Sequence, residues 1–448
     1  MKKATLAQLT DRRNQLILTY APAGLGHLRI TDALYDGLPK SVNPVVMGSQ
    51  DKSIQTIHRL TSIHPIARGI FEWLQSGPLA KQANRLYRYQ LRMNTGVVYG
   101  EISRVIDERF ESPKKIWVVS THFGLAHKLA AVKEKLEKEK RVEIILVVLV
   151  TDDTFQHIWY VDGADLLVVP SNYTKRKYAA YGRSLGKCER IEVNPYPINP
   201  LRMNKLGTVR MADKKSQLNP KSKEPIQVSI PVSGAAVGTL YFTHLMHALH
   251  KKSKRFHFHI VSKDAPFTKA FLYQWRNKNW VNLHVGKKDR ETVDLYDKLL
   301  DTQVVSLEVT KPSEQAFKAL LPTEMRGGVI LLFSNPVGQQ EFDNLHFLER
   351  HALIPSPEIQ KQLWDMAEHG GSMDTALRNR IFREARTWRG VRLPWRSQKS
   401  ADFIWWLHQE GILARMLSAN VAERVLDEKS RVLGPNGVAE FWDLVTSL

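Results

Sequence analysis

LILTYAPAGLGHL (16–28) is the stretch that decides the reading of this chain. Leu16–Tyr20 is an apolar run with no period-2 alternation, and a short loop with two glycines follows it directly. Such a run reads as a strand buried on both faces, as in a parallel sheet covered by helices on either side. Similar runs recur at 116–120, 143–150, 166–170 and 190–193, with helical patterns between them at Leu125–Lys140 and Tyr173–Tyr181. That is βαβ architecture.

The pattern stops at 211–224, a polar and charged stretch that reads as a linker or exposed loop. It restarts at 226–232, 257–262, 281–285, 303–309 and 328–334, and from Pro355 onward the chain reads as helices. The sequence therefore predicts an α/β protein with two Rossmann-like domains facing a cleft. The first spans 1–205, a linker 206–225, the second 226–355, and a helical C-terminal extension 356–448.

The chain has 448 residues, 43% of them hydrophobic, enough for two packed cores. Lys plus Arg number 65 against 45 acids, a net charge of +20 that favours a polyanionic partner. Cys188 is the single cysteine, so no intrachain disulfide forms; it reads as a small core residue. The polar N-terminus shows no signal peptide, and the longest apolar run, Ile144–Val150, is far short of the about 20 residues that cross a bilayer. These features predict a cytoplasmic protein, soluble or peripherally bound to membrane.

Ligands of doubly wound sheets sit beyond the carboxyl ends of the strands, so chemistry is sought in the strand-to-helix loops. In the first, Gly24 and Gly26 admit a close ligand, and His27 is either a general base or a helix-capping residue. THFG (121–124) brings His122, and TDDTFQHIW (151–159) brings Asp152, Asp153, His157 and Trp159. The aspartates can orient a base, bind a sugar hydroxyl or cap a helix. The histidines and aspartates lack a compact ligand spacing, so no metal site is expected. In the second half, PVSGAAVG (231–238) can hold phosphate through backbone N–H groups but lacks the GK[ST] ending of a P-loop. TKPSEQAF (310–317) follows a strand. NPVGQQEFDN (335–344) carries a polar cluster of Gln339, Gln340, Glu341 and Asn344 that is unusual for scaffold alone.

Taken together these loops resemble, in order and spacing, a family of GT-B glycosyltransferases. It contains plant monogalactosyldiacylglycerol synthase, bacterial processive diacylglycerol glucosyltransferases and, more remotely, the N-acetylglucosaminyltransferase of peptidoglycan synthesis. The GxGH motif is Gly24, Gly26 and His27; the TD…H…W segment is Thr151, Asp152, His157 and Trp159; a KPG-like loop is Lys311 and Pro312; a GQE..N loop is Gln340, Glu341 and Asn344. The resemblance covers about residues 15–355. The glycine of the KPG loop is Ser313 here, and the family's acidic residue after it falls on Lys318 or Ala319.

The resemblance implies inverting transfer of a hexose from a nucleoside diphosphate sugar, UDP-linked in this family, to a lipid hydroxyl such as that of diacylglycerol. His27 would act as base, with Asp152 as orienting partner or alternative base. Gly234, Ala235, Lys311, Ser313, Gln340, Glu341 and Asn344 would bind the donor. Gly24, Gly26, His122, His157 and Trp159 would line the acceptor side. No cofactor and no metal are implied beyond the sugar nucleotide as co-substrate. An inactive homologue that binds lipid or a partner is the alternative.

Residues 58–93 interleave Arg59, Arg68, Lys81, Arg85, Arg88 and Arg92 with Phe71, Trp73 and aliphatic residues against one acid, Glu72. Basic plus aromatic residues without a span suit docking on anionic lipid, with Trp73, Arg85, Arg88 and Arg92 foremost; a solvated helix face is the other reading. A second basic stretch, 374–399, carries eight Lys/Arg residues from Arg378 to Lys399, with Trp388 and Trp395 among them. Nucleic-acid binding also fits the charge, but no recognised motif supports it, and no nucleic-acid partner is expected.

Overall fold

The computed structural model describes residues 1–21, 25–48, 80–93, 95–108, 113–187, 190–232, 236–333, 338–371, 373–419 and 431–448. They fall into two compact units, one of residues 1–200 and 434–448 and one of residues 201–433. The expected α/β class with two Rossmann-like domains is what the structure shows: each unit has one six-stranded sheet, parallel throughout.

In the first unit the strands are β1 (Asn14–Tyr20), β2 (Val45–Gly48), β3 (Lys115–Ser120), β4 (Glu143–Leu149), β5 (Leu166–Val169) and β6 (Ile191–Val193). Their order across the sheet is β2-β1-β3-β4-β5-β6. Helices cover both faces, which is why the middle of each long strand is mostly apolar. Ile17, Ile116, Val118, Ile144 and Leu146 pack into one core. Val148, Leu167, Val169 and Ile191 pack into another, with Trp159, Tyr160 and Tyr178. The helix Phe123–Lys140 ends at Arg141, whose left-handed φ of 55° stops it.

The chain's end belongs to this unit. Helix Gly437–Val445 packs on it through the Trp442 indole N–H, 3.1 Å from the Leu34 carbonyl, and through Asn194, which donates to the Gly437 carbonyl at 2.9 Å. Gly37 is needed there, since a Cβ on it would stand 2.1 Å from a Val438 methyl carbon.

The second unit holds β7 (Ile226–Pro231), β8 (Phe256–Lys263), β9 (Val281–Gly286), β10 (Leu307–Thr310), β11 (Val329–Leu332) and β12 (Gly390–Arg392), in the order β12-β11-β10-β7-β8-β9. This is the strand order of dinucleotide-binding sheets. The sixth strand lies within 356–448, where helices alone were expected. Gly390 permits it, because a Cβ there would meet the Ile330 carbonyl oxygen at 2.7 Å.

The stretch expected to be a linker also differs. Thr208–Leu218 is a helix, and Lys214, Gln217 and Leu218 are buried. The Lys214 ammonium donates to the carbonyls of Thr323 and Met325 at 2.8 and 3.0 Å, and the Gln217 amide to that of Val304 at 2.8 Å. Hydropathy misses such a helix because its polar groups are buried by pairing with backbone, which removes the cost of burying them.

Candidate functional site

In the first unit the chain leaves β1 for β2 on one side, then crosses to β3 on the other. The crevice between the carboxyl ends of β1 and β3 is therefore the switch point where such sheets bind ligands. His27 stands in the first turn of helix Leu25–Asp36, just beyond β1, and His122 caps helix Phe123–Lys140, just beyond β3. Their rings meet edge to face with centroids 5.1 Å apart. The Trp159 ring lies 6.3 Å from that of His27, and Phe123 stacks on His122 at 4.6 Å.

The backbone under this group is pinned. Thr31 donates to the His27 carbonyl at 2.8 Å, and the Thr31 and Thr121 hydroxyls lie 3.1 Å apart. Nδ1 of His122 accepts the Gly124 N–H at 3.1 Å, so the neutral ring carries its proton on Nε2. Trp159 is held from below: the buried His127 donates from Nε2 to the Ile158 carbonyl at 2.9 Å. Burial lowers the His127 pKa to about 4, so this ring is neutral at ordinary pH. Thr31, Thr121 and Phe123 were not singled out from the sequence. Thr121 and Phe123 lie in the THFG loop and were findable by position; Thr31 gave no signal.

The other residues of this loop set separate. Asp153 accepts the hydroxyls of Ser171 and Thr174 at the start of helix Asn172–Ser184, a structural duty. Asp152 follows β4 and is half-buried beside the Thr151 hydroxyl, 3.4 Å away. His157 stacks on Tyr181 at 4.1 Å and packs against Phe155, so it belongs to an aromatic cluster beside helix Asn172–Ser184. Gly26 lies on the helix next to His27, while Gly24 falls outside the described residues.

In the second unit the switch point lies between β7 and β10. Of the loop after β7, Gly234 and Ala235 lie outside the described residues; its end, Ala236 at φ 54° and Gly238 at φ 90°, turns left-handed into helix Thr239–Lys252. Lys311 follows β10, and its ammonium pairs with Glu341 at 3.1 Å, the two side chains only 12% and 10% exposed. Asn344, fully buried, donates to the Pro312 carbonyl at 3.1 Å. Helix Gln339–Arg350 thus holds the loop after β10 through two of the expected donor residues. Gln340 is half-buried on the same turn, and Ser313 precedes the 3-10 segment Glu314–Leu320.

Beneath this edge lies a buried ionic cluster that sequence reading did not find. Glu308 on β10 accepts from Lys318 at 2.6 Å, from the Gly328 N–H at 3.0 Å, from Ser229 at 3.3 Å and from the Tyr296 hydroxyl. Burial pushes the Glu308 carboxyl upward, but the Lys318 charge and these hydrogen bonds outweigh it and bring its pKa to about 2. Lys318, one of the two positions, with Ala319, expected to stand in place of an acid, is thereby engaged in the interior.

The residues expected at a membrane surface are placed differently. Trp73 lies outside the described residues, and of Arg85 only the helical backbone is described. Arg88 donates to the Tyr181 hydroxyl at 2.8 Å and Arg92 to the Asp162 carbonyl, so both guanidinium groups are turned to partners within the first unit and form no outward row. Leu86, Tyr89, Gln90 and Met93 are exposed there. In the second basic stretch Arg378, Arg380, Arg392 and Lys399 pair with Glu410, Glu384, Glu349 and Glu368, and Arg389 is buried. Among the described residues no helix is long and apolar enough to cross a membrane, and no three His, Cys, Asp or Glu residues gather to hold a metal.

No protein-family model matches the sequence, and no curated protein matches it. Solved structures share its chain course. S. aureus MnaA with UDP is 12% identical, covering 94% of this chain and 96% of its own, at a TM-score of 0.42. Acinetobacter baumannii MurG is 10% identical, with coverage of 97% and 100% and a TM-score of 0.40. A UDP-glucosyltransferase from Polygonum tinctorium is 12% identical, with coverage of 97% and 99% and a TM-score of 0.43. Likeness of this degree concerns the backbone, and the chemistry is read from this chain's own residues.

Proposed function

We propose that this chain is an inverting glycosyltransferase of the GT-B type that moves a hexose from a nucleoside diphosphate sugar to the hydroxyl of a lipid such as diacylglycerol. The observation that carries the reading is the contact of His27 with His122 at the switch point of the first sheet. Two imidazoles on adjacent strand ends, over a backbone fixed by Thr31 and Thr121, make a site for taking a proton from a bound hydroxyl.

In this reading the acceptor O–H loses its proton to His27 as its oxygen forms the bond to the sugar's anomeric carbon. The bond from that carbon to the diphosphate breaks, and the diphosphate leaves with the electron pair. The Nε2–H of His122 steadies an oxygen of the acceptor, and Trp159 packs against the sugar or lipid stem. Asp152 orients His27 or replaces it as base. Lys311, Ser313, Gln340, Glu341 and Asn344, with Gly234 and Ala235, hold the donor, and the N-terminus of helix Gln339–Arg350 adds its partial positive charge. The protein works on the cytoplasmic side, peripherally bound to membrane.

One observation favours a second reading, a non-catalytic homologue: Lys311 and Glu341 are paired with each other, and Asn344 secures the Pro312 carbonyl. One experiment separates the two. Purified protein is given a panel of labelled sugar nucleotides with diacylglycerol in vesicles, and nucleotide binding is measured in parallel. Glycolipid and free nucleoside diphosphate support the first reading; protein bound to the vesicles with no turnover of any sugar nucleotide supports the second, whether or not nucleotide binds; neither vesicle binding nor turnover counts against both.

A further inference from the structure

The net charge of this protein is not spread evenly. Between Thr239 and Lys288 the one carboxylate is Asp264, among many lysines, arginines and histidines. These residues form helix Thr239–Lys252, strands β8 and β9 and the segment between them in the second unit.

Packing gathers the charges on one face. His244, His247 and Lys251 are exposed along one stripe of helix Thr239–Lys252, and Lys254 follows it. The segment Lys269–Lys278 lies alongside: Gln274 donates to the Thr243 hydroxyl at 2.8 Å, and the His247 ring sits 4.8 Å from that of Trp275. His250 stacks on Trp280 at 4.1 Å, closing the seam. Lys269, Arg276 and Lys278 are exposed there, and Tyr273 beside Arg276 is 74% exposed.

None of Lys251, Lys254, Lys269, Arg276 and Lys278 has a carboxylate partner among the described residues. That contrasts with Arg378, Arg380, Arg392 and Lys399, which are paired. Desolvation first, and then the charges of Lys278 and His244, lower the His247 pKa. A concentration of unpaired like charge on a folded surface is relieved by an opposite external surface.

We propose that this face of the second unit, centred on Lys251, Arg276 and Lys278, docks on an anionic phospholipid bilayer. Lys251 stands on the outward side of helix Thr239–Lys252 and Arg276 and Lys278 on the exposed turn after helix Lys269–Tyr273, an open surface that suits a flat sheet of phosphates. Single-stranded nucleic acid is taken instead in grooves with rows of stacking aromatics, whereas here two exposed aromatic side chains, Phe267 and Tyr273, accompany the charges. A tyrosine with an apolar ring and a polar tip suits headgroup depth. The inference bears on the lipid side of the function proposed above but does not rest on the transfer chemistry.

The test is cosedimentation of the full chain with phosphatidylcholine vesicles, with and without phosphatidylglycerol, and no sugar nucleotide. The protein is expected on the phosphatidylglycerol vesicles only, and to be released at about 0.5 M salt, where screening is nearly complete. Lys251→Glu, Arg276→Glu and Lys278→Glu together should weaken that binding by at least about tenfold. The corresponding three glutamine substitutions should give an intermediate loss, and unchanged circular dichroism and melting show that each variant is folded. A charge-reversed variant that binds anionic vesicles like wild type overturns the proposal. So does wild type that ignores the vesicles but is retained on a polynucleotide. Loss of vesicle binding with intact transfer to a detergent-dispersed acceptor separates this surface from the active site.

Discussion

The His122 ring meets that of His27 edge to face with its own Nδ1 already committed, since that nitrogen accepts the Gly124 N–H. A neutral His122 therefore offers only a donor, Nε2–H, and is a poor proton acceptor. In the proposed mechanism His27 is therefore the imidazole that receives the proton. The proposed division of labour follows from that tautomer.

The His27→Ala variant should lose about 10²-fold or more in turnover, the usual contribution of a general base, with folding and nucleotide binding retained. His122→Ala should raise the KM for acceptor more than it lowers kcat, because it removes a donor to a bound oxygen. Steady-state kinetics on both variants decide this; near-normal turnover in His27→Ala takes that residue out of the mechanism.

Lys311 is expected to touch the donor phosphates. Hydrogen bonds to charged groups contribute about 1.5–3 kcal/mol, so Lys311→Ala should weaken binding of a nucleoside diphosphate by about tenfold or more. Asn344→Ala should loosen the loop at Pro312 and weaken binding less. Titration calorimetry reads both, and unchanged affinity in Lys311→Ala would remove Lys311 from the donor site.

The Glu308–Lys318 pair predicts an asymmetric response. Lys318→Met leaves a buried carboxylate without its cation and should cost about 3–5 kcal/mol in denaturant unfolding. Glu308→Leu together with Lys318→Met should recover much of that loss. Because the Glu308 pKa is depressed, its contribution is present above the ordinary value of 4.5 and fades as pH falls toward about 2.

Acid should weaken the fold earlier, through histidines. His259 donates from Nε2 to the Gln227 side chain at 2.9 Å and faces Nε2 of His284 at 3.3 Å. Burial, then the neighbouring His284 and His257 charges, lower its pKa to about 4. Burial likewise brings His351 and His408 to about 4. A base whose folded pKa is depressed favours the folded state above the unfolded value. Stability should therefore decline as pH falls from 6.5 toward 4, by up to about 1.4 kcal/mol per pH unit for each such group. His259→Gln should flatten that slope when melting is followed against pH. An unaltered slope would show that His259 is protonated alike in both states.

Which features could be read from the chain depended on how local their signal is. The unbroken runs at 16–20 and 143–150 announced strands because a strand buried on both faces needs apolar side chains at every position. Helix Thr208–Leu218 did not announce itself: its buried members are Lys214 and Gln217, whose partners are carbonyls of Thr323, Met325 and Val304, about a hundred residues away in the chain. Strand β12 was hidden inside a region of helical pattern, since three residues seated by Gly390 against Ile330 are too short to show a period.

The same division runs through the candidate site. Local pattern alone located two doubly wound halves and put His27, His122, Asp152, Trp159, Lys311, Glu341 and Asn344 at strand ends, because strand-to-helix loops follow from hydrophobic periodicity. Which of them meet was decided by tertiary structure. Strand order brings β1 beside β3 and so His27 against His122, while His157, only two residues from Trp159, turns away to stack on Tyr181. Packing likewise drew Arg88 and Arg92 to Tyr181 and Asp162, while Lys251, Arg276 and Lys278 stayed outside. Charge is a property of each residue, but whether it is spent on a partner depends on which backbone and side chains folding brings within a few ångströms.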